Sequence, residues 1–221
     1  MDDLTSVRDI CKLLNGWPVA LRIAGRYLRN NKQSAAKYLR WLHKKPFRML
    51  GSSTHQEDNM ALLLKRSLKQ VRKDAVQVMR VAGVLAFAPI TLMPFALVLA
   101  SEDEDMDELE LRSNETADEL VRYGLLETTD KGWQVSHALI HTYARTELAL
   151  STDALKRLAE WYMVFCYTAS EEGVQGYLRL NAERAHCLRL MESCLAGKLW
   201  QEVKALEGVM QEYLDRQGWW T

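Results

Sequence analysis

A chain of 221 residues that is 48% hydrophobic and 26% charged can bury one large core or two to three small ones, which excludes a disordered polyelectrolyte. Lys+Arg and Asp+Glu are equal at 29 each, so the net charge of zero gives no global attraction to nucleic acid or to an anionic membrane. Charge is segregated instead: residues 1–50 hold eleven Lys/Arg against three Asp, and residues 101–123 hold ten Asp/Glu against two Arg. Opposite fields of this kind suit contact between modules, while each run alone also reads as a solvated helix face.

Apolar residues recur at helical spacing along most of the chain, and a mainly α protein is expected. The first helix carries Leu4, Val7, Ile10, Cys11 and Leu14 on one face and stops at Asn15-Gly16. A second restarts at Trp17-Pro18, with Pro suited to a first turn, and continues through Leu21, Ala24, Gly25 and Leu28. A third spans Ser34 to His43. Pro46 to Asn59 has loop composition and marks a first boundary, with the next helix capped at Asp58 or Asn59 and carrying Leu62, Leu63, Leu64, Leu68 and Val71. Val76, Met79, Val81 and Leu85 define another helix, and Leu92, Phe95 and Leu99 a short one after Pro89. The apolar stretch Val81 to Ala100 is broken by Gly83, Pro89, Thr91 and Pro94, so it reads as buried helices and a turn, and no membrane span is expected.

An acidic linker, Ser101 to Glu108, precedes a helix over Glu115 to Tyr123 that ends at Gly124. Leu125 to Thr128 and Trp133 to Val135 then flank Thr129-Asp130-Lys131-Gly132, which is hairpin chemistry. Helices followed by a small hairpin form the winged-helix plan. A helix follows from His137 to about Leu150. From Ser151 onward the pattern is helical only: a helix capped at Ser151 or Thr152 that buries Leu155, Leu158, Trp161, Tyr162 and Phe165, then helices at about Tyr177 to Ala196 and Leu199 to Gln217, with Gly197 and Gly218 as stops. Gly218-Trp219-Trp220-Thr221 places two large aromatics where a further helix would cover them, which reads as a truncation.

Two short motifs carry the functional reading: Gly16-Trp17-Pro18 followed by Val19-Ala20-Leu21 and Gly25, and His137 followed by Leu139, Ile140, Tyr143, Ala144 and Arg145. Together, in this order, they resemble the regulatory half of an NB-ARC type signal-transduction ATPase of the STAND class. The first is similar to the GxP motif of that family's helical domain, whose Pro packs against an adenine base. The second is similar to the histidine of the MHD motif, which reaches from the winged-helix domain to the β-phosphate of ADP and holds the inactive state. The flanking residues here are Ser136 and Ala138 in place of the motif's Met and Asp. The resemblance implies a helical GxP module over residues 1–50, a winged-helix domain over 58–150 and the start of a tetratricopeptide-like helical array over 151–221. It implies Gly16, Pro18 and His137 as cofactor-binding residues for ADP or ATP, shared with a nucleotide-binding domain upstream of Met1. It also implies a protein or ligand trigger on the array, oligomerisation on activation, and a role in bacterial signalling, transcriptional control or defence.

Plainer explanations stand beside each motif. Gly16-Trp17-Pro18 is also an ordinary corner between two helices, and His137 an ordinary helix N-terminal residue. His137 and His141 are four apart, yet Ala138 stands where a zinc protease needs Glu and no third ligand is evident, so no metal is expected. No GxxxxGK[ST] loop and no Gly-x-Ser-x-Gly elbow occurs, and the chain alone is not expected to be an enzyme; no catalytic residue is assigned. Cys11, Cys166, Cys187 and Cys194 form no CxxC pair and no signal-peptide pattern precedes them, which fits a reducing cytoplasm, with the last three as buried small hydrophobes. A DNA-binding winged helix is the rival from another class, but its recognition helix would present Glu115, Asp118 and Glu119 to phosphates, the wrong sign. The basic helices within Arg22 to Arg48 and Lys65 to Arg80 leave a weak DNA or RNA contact open but read first as solvated faces, and a helical protein-interaction scaffold is the remaining alternative.

Overall fold

The structure, a computed structural model, describes residues 3–44, 53–101 and 104–216, with the backbone alone at 53–57, 212 and 216. It is mainly α-helical with one two-stranded sheet. The elements are α1 Asp3–Leu13, α2 Pro18–Asn30, α3 Ala35–His43, α4 Ser53–Leu68, α5 Lys73–Val84, α6 Leu92–Leu99, α7 Met106–Tyr123, β1 Leu126–Thr129, β2 Gly132–Val135, α8 Ala138–Glu147, α9 Thr152–Glu171, α10 Gly173–Ala196 and α11 Trp200–Arg216. Among the described residues no helix is long and apolar enough to cross a membrane.

α1 packs on α3, and α2 lies between α4 and α7. Of the face expected for α1, Ile10 and Leu14 are buried while Leu4 and Val7 stay exposed. Arg66 of α4 inserts among the rings of Tyr27, Tyr38 and Trp41, with its guanidinium carbon 3.9–4.7 Å from the ring centres. These are cation–π distances, and they fasten α4 to α2 and α3.

Two helix starts differ from the sequence expectation. α4 begins at Ser53, so residues 53–59 of the expected loop are helical and the proposed line at 58 falls inside a helix; Pro46 to Ser52 lie outside the described residues. α7 begins at Met106, nine residues before the expected Glu115, because Asp105 caps it: its Oδ1 accepts from the Glu108 amide at 2.8 Å. Asp107 and Glu108 then sit in the first turn, where the exposed amide groups favour negative charge. Polar and acidic composition marks a helix start here, where it had read as a linker. Similarly, α8 ends at Glu147, α10 begins at Gly173, and the Gly218–Thr221 end lies outside the described residues.

The hairpin forms at the expected place, with Leu126 opposite Val135 and Thr129 opposite Gly132. Ile90 adds a bridge to Trp133, through amide-to-carbonyl bonds of 2.7 and 2.9 Å. Gly132 has φ +124°, and a Cβ there would lie 2.2 Å from the Ile90 carbonyl oxygen, so this close approach requires glycine. Leu120, Leu125, Leu126, Val135, Ile140 and Phe95 close the core around the sheet.

α9, α10 and α11 pack on one another, and α9 also packs on α6. Two histidines grip the Leu85–Pro89 connection between α5 and α6. His141 of α8 donates from Nε2 to the Leu85 carbonyl at 2.9 Å. His186 of α10, fully buried, accepts at Nδ1 from the Ala86 amide at 3.1 Å and donates from Nε2 to the Pro89 carbonyl at 2.9 Å. Three backbone groups of this part-buried connection are thereby satisfied from two different helices.

Candidate functional site

The GxP segment is a tight corner. α1 ends as Asn15 and Gly16 enter the left-handed region at φ +50° and +66°, and the Gly16 amide bonds the Cys11 carbonyl at 3.0 Å. This is a glycine-type helix stop. Trp17 is extended and caps α2, and Pro18 occupies its first turn. Gly16 and Pro18 are both exposed, so the corner offers a rigid ring to solvent or to a ligand.

From that corner α2 buries Ala20, Ile23, Ala24 and Tyr27 and turns a polar row, Arg22, Arg26 and Asn30, toward the end of α7. Arg22 Nη2 donates to the Ser136 carbonyl at 3.1 Å and to Ser136 Oγ at 3.2 Å. Arg26 donates to the Val121 carbonyl, and Asn30 Nδ2 to the Arg122 carbonyl at 2.9 Å. Those carbonyls belong to the last turn of α7, where cations and donors are favoured. Ser136 Oγ in turn donates to the Gly124 carbonyl at 2.6 Å, tying the β2–α8 corner to the α7 terminus.

His137 follows Ser136 and caps α8. Its Nδ1 accepts from the Leu139 amide at 3.1 Å, so in the neutral ring the proton sits on Nε2, leaving a donor there. The ring is half-buried, and burial, with the nearby Arg22 charge second, holds its pKa below the ordinary 6.5. The neutral form is therefore favoured at physiological pH.

The fold thus links the helix that Pro18 begins to the residue beside His137, and the link runs through Arg22. Arg22, Arg26, Asn30 and Ser136 had no assigned role in the sequence reading, where the basic segment passed for a solvated face. The signal for Arg22, Arg26 and Asn30 was the i, i+4, i+8 spacing of the polar row, while Ser136 carried none. Glu119 also differs from expectation. It is 8% exposed, and its carboxylate takes the Arg72 amide at 3.1 Å and Arg72 Nε at 2.8 Å, so it caps α5 from within and is not displayed to a DNA phosphate. His137 and His141 do not converge, since each is committed to a different backbone group, and the described residues contain no cluster of three His, Cys, Asp or Glu suited to a metal ion. Cys166, Cys187 and Cys194 are fully buried free thiols.

Comparison with protein-family models, curated proteins and solved structures gives no match.

Proposed function

We propose that this chain is the regulatory, nucleotide-sensing half of an NB-ARC type STAND ATPase: a helical GxP unit in α1–α3, a winged-helix unit in α4–α8 with the hairpin as its wing, and the first helices of a tetratricopeptide-like array in α9–α11. The single observation that carries this reading is the pair of hydrogen bonds from Arg22 to Ser136, which joins two motifs more than a hundred residues apart in sequence. An ADP or ATP held mainly by an upstream domain, in a reducing cytoplasm, would be read by Pro18 and His137.

The residues present fit such a group. The Pro18 ring is exposed for an adenine face, the neutral His137 ring keeps an Nε2–H donor for a phosphate oxygen, and Arg22 Nε is buried without a hydrogen-bond partner. The nucleotide supplies phosphate charge; the protein supplies a donor and a cation on two units whose relative orientation Arg22 fixes. A charge-assisted bond of this type contributes about 1.5–3 kcal/mol, enough to bias a two-state switch tenfold or more. A protein trigger on the array is consistent with the exposed apolar residues Tyr167, Val174 and Leu178 on α9 and α10.

The test uses a longer chain that includes the upstream coding region. The folded protein is heat-denatured and released nucleotide is identified, for wild type and for His137→Ala. Stoichiometric ADP in wild type and less in the variant is the expected result. A folded protein that releases no nucleotide overturns the reading and leaves the interaction scaffold.

A further inference from the structure

Between the end of α5, the α8–α9 connection and the last turns of α10 lies a cleft of about 440 Å³, within the size range of small-molecule sites. Its walls are apolar where Val84 and Leu155 line it and polar where Arg145, Arg189, Glu192 and Ser193 do. Two arginines and one glutamate thus line the cleft. Glu192 pairs with Arg189 and is itself 62% exposed, so it can swing away into water. Among the described residues Arg145 pairs with no carboxylate, and Arg189 Nε is buried without an acceptor. A buried donor of this kind costs stability until an acceptor arrives. The same two arginines depress the pKa of His141, after the larger effect of its burial, so both lie within electrostatic reach of that ring.

We propose that this cleft binds a small amphipathic oxyanion, with its phosphate or carboxylate between Arg145 of α8 and Arg189 of α10 and its hydrocarbon part against Val84 and Leu155. The cleft shares no residue with Gly16, Pro18 or His137, and the proposal stands independently of the nucleotide reading. Because the two arginines sit on helices from different units, an occupant would join α8 to α10 and report its own concentration as a change in their spacing.

Titration calorimetry on the whole chain tests this with hexyl phosphate and hexanoate as probes, and hexanol and inorganic phosphate as controls. Variants are Arg145→Gln and Ala196→Trp; both positions are exposed, so each is expected to fold, and circular dichroism verifies it. Saturable binding of at least one amphipathic anion is expected, with the tighter probe naming the head group. Arg145→Gln should weaken it about tenfold or more, the loss of one charge-assisted contact. Ala196→Trp, which fills the cleft, should abolish it, and each control should bind at least about tenfold more weakly. No saturation by either anion up to about 10 mM, equal binding of hexanol, or unchanged affinity in both variants would overturn the proposal.

Discussion

Gly83 and Gly25 both lie inside helices, yet replacing each by Ala should move stability in opposite directions. A Cβ on Gly83 would sit 2.6 Å from the Ala144 carbonyl carbon, 2.8 Å from its oxygen and 2.8 Å from the Arg145 amide nitrogen. These are backbone atoms of α8, which cannot rotate aside, so α5 and α8 must part by about 0.8 Å to restore ordinary contact. Overpacking of this kind costs ~1–3 kcal/mol, and the rigid neighbours place it at the upper end. The gain in helix propensity, ~1 kcal/mol, offsets part, leaving Gly83→Ala about 2 kcal/mol less stable than wild type. At Gly25 a Cβ meets nothing within 4 Å and φ is ordinary, so only the propensity gain remains and Gly25→Ala should be more stable by about 0.5–1 kcal/mol. Urea denaturation followed by far-UV circular dichroism measures both. Equal shifts of the two midpoints, or a Gly83→Ala protein as stable as wild type, would refute the close packing of α5 on α8.

Glu119→Ala removes both acceptors of the Arg72 amide and side chain and should destabilise the fold by about 2 kcal/mol, the cost of stranding a part-buried donor pair; a urea midpoint unchanged from wild type refutes it. Arg22→Ala should raise the His137 pKa toward 6.5, because the Arg22 charge is the smaller of the two causes that lower it, and imidazole NMR titration reads the change; no shift, or a downward one, counts against the Arg22 link. His141 is held below 6.5 by burial first, with Arg145 and Arg189 adding to it, so the unfolded chain takes up its proton first as pH falls. Stability should accordingly be full above pH 6.5 and decline below it, and the decline should shrink in His141→Asn; an equal slope in that variant refutes the assignment. Alkylation at pH 8 should label Cys11 alone in the native protein, since Cys166, Cys187 and Cys194 are fully buried and burial pushes the Cys194 thiol up to about 11, and mass spectrometry that finds the buried three equally labelled would contradict the packing of α9 and α10.

The parts of the fold that were legible in the sequence are those encoded by local stereochemistry. Asn15-Gly16 followed by Pro18 writes a helix stop and restart into adjacent residues, and Gly132 after Asp130-Lys131 writes a hairpin. The starts of α4 and α7 were not legible because polar residues, and at α7 acidic ones, belong equally to linkers and to first helical turns. Only the carbonyl and amide geometry around Asp105 separates the two. Gly16, Pro18 and His137 stood out in the sequence as separate motif residues, but the contact that links the helix Pro18 begins to the residue beside His137 did not. Arg22 bonds a main-chain carbonyl, a group every residue owns, so no side-chain pattern at Ser136 announces the partner. The burial of Glu119 escaped for a related reason, since its counter-charge, Arg72, lies 47 positions away on another helix.

The double grip of His141 and His186 on the Leu85–Pro89 connection has a mechanical meaning. That connection acts as a common bearing, seated at once by the helix that follows the hairpin and by a helix of the C-terminal group. A load applied to α10 arrives at α5 and α6 through stiff hydrogen bonds, with no slack tether to absorb it. The packed group α9–α11 would work on the hairpin region as the long arm of a lever, whose small tilts at the pivot become larger excursions at its far end.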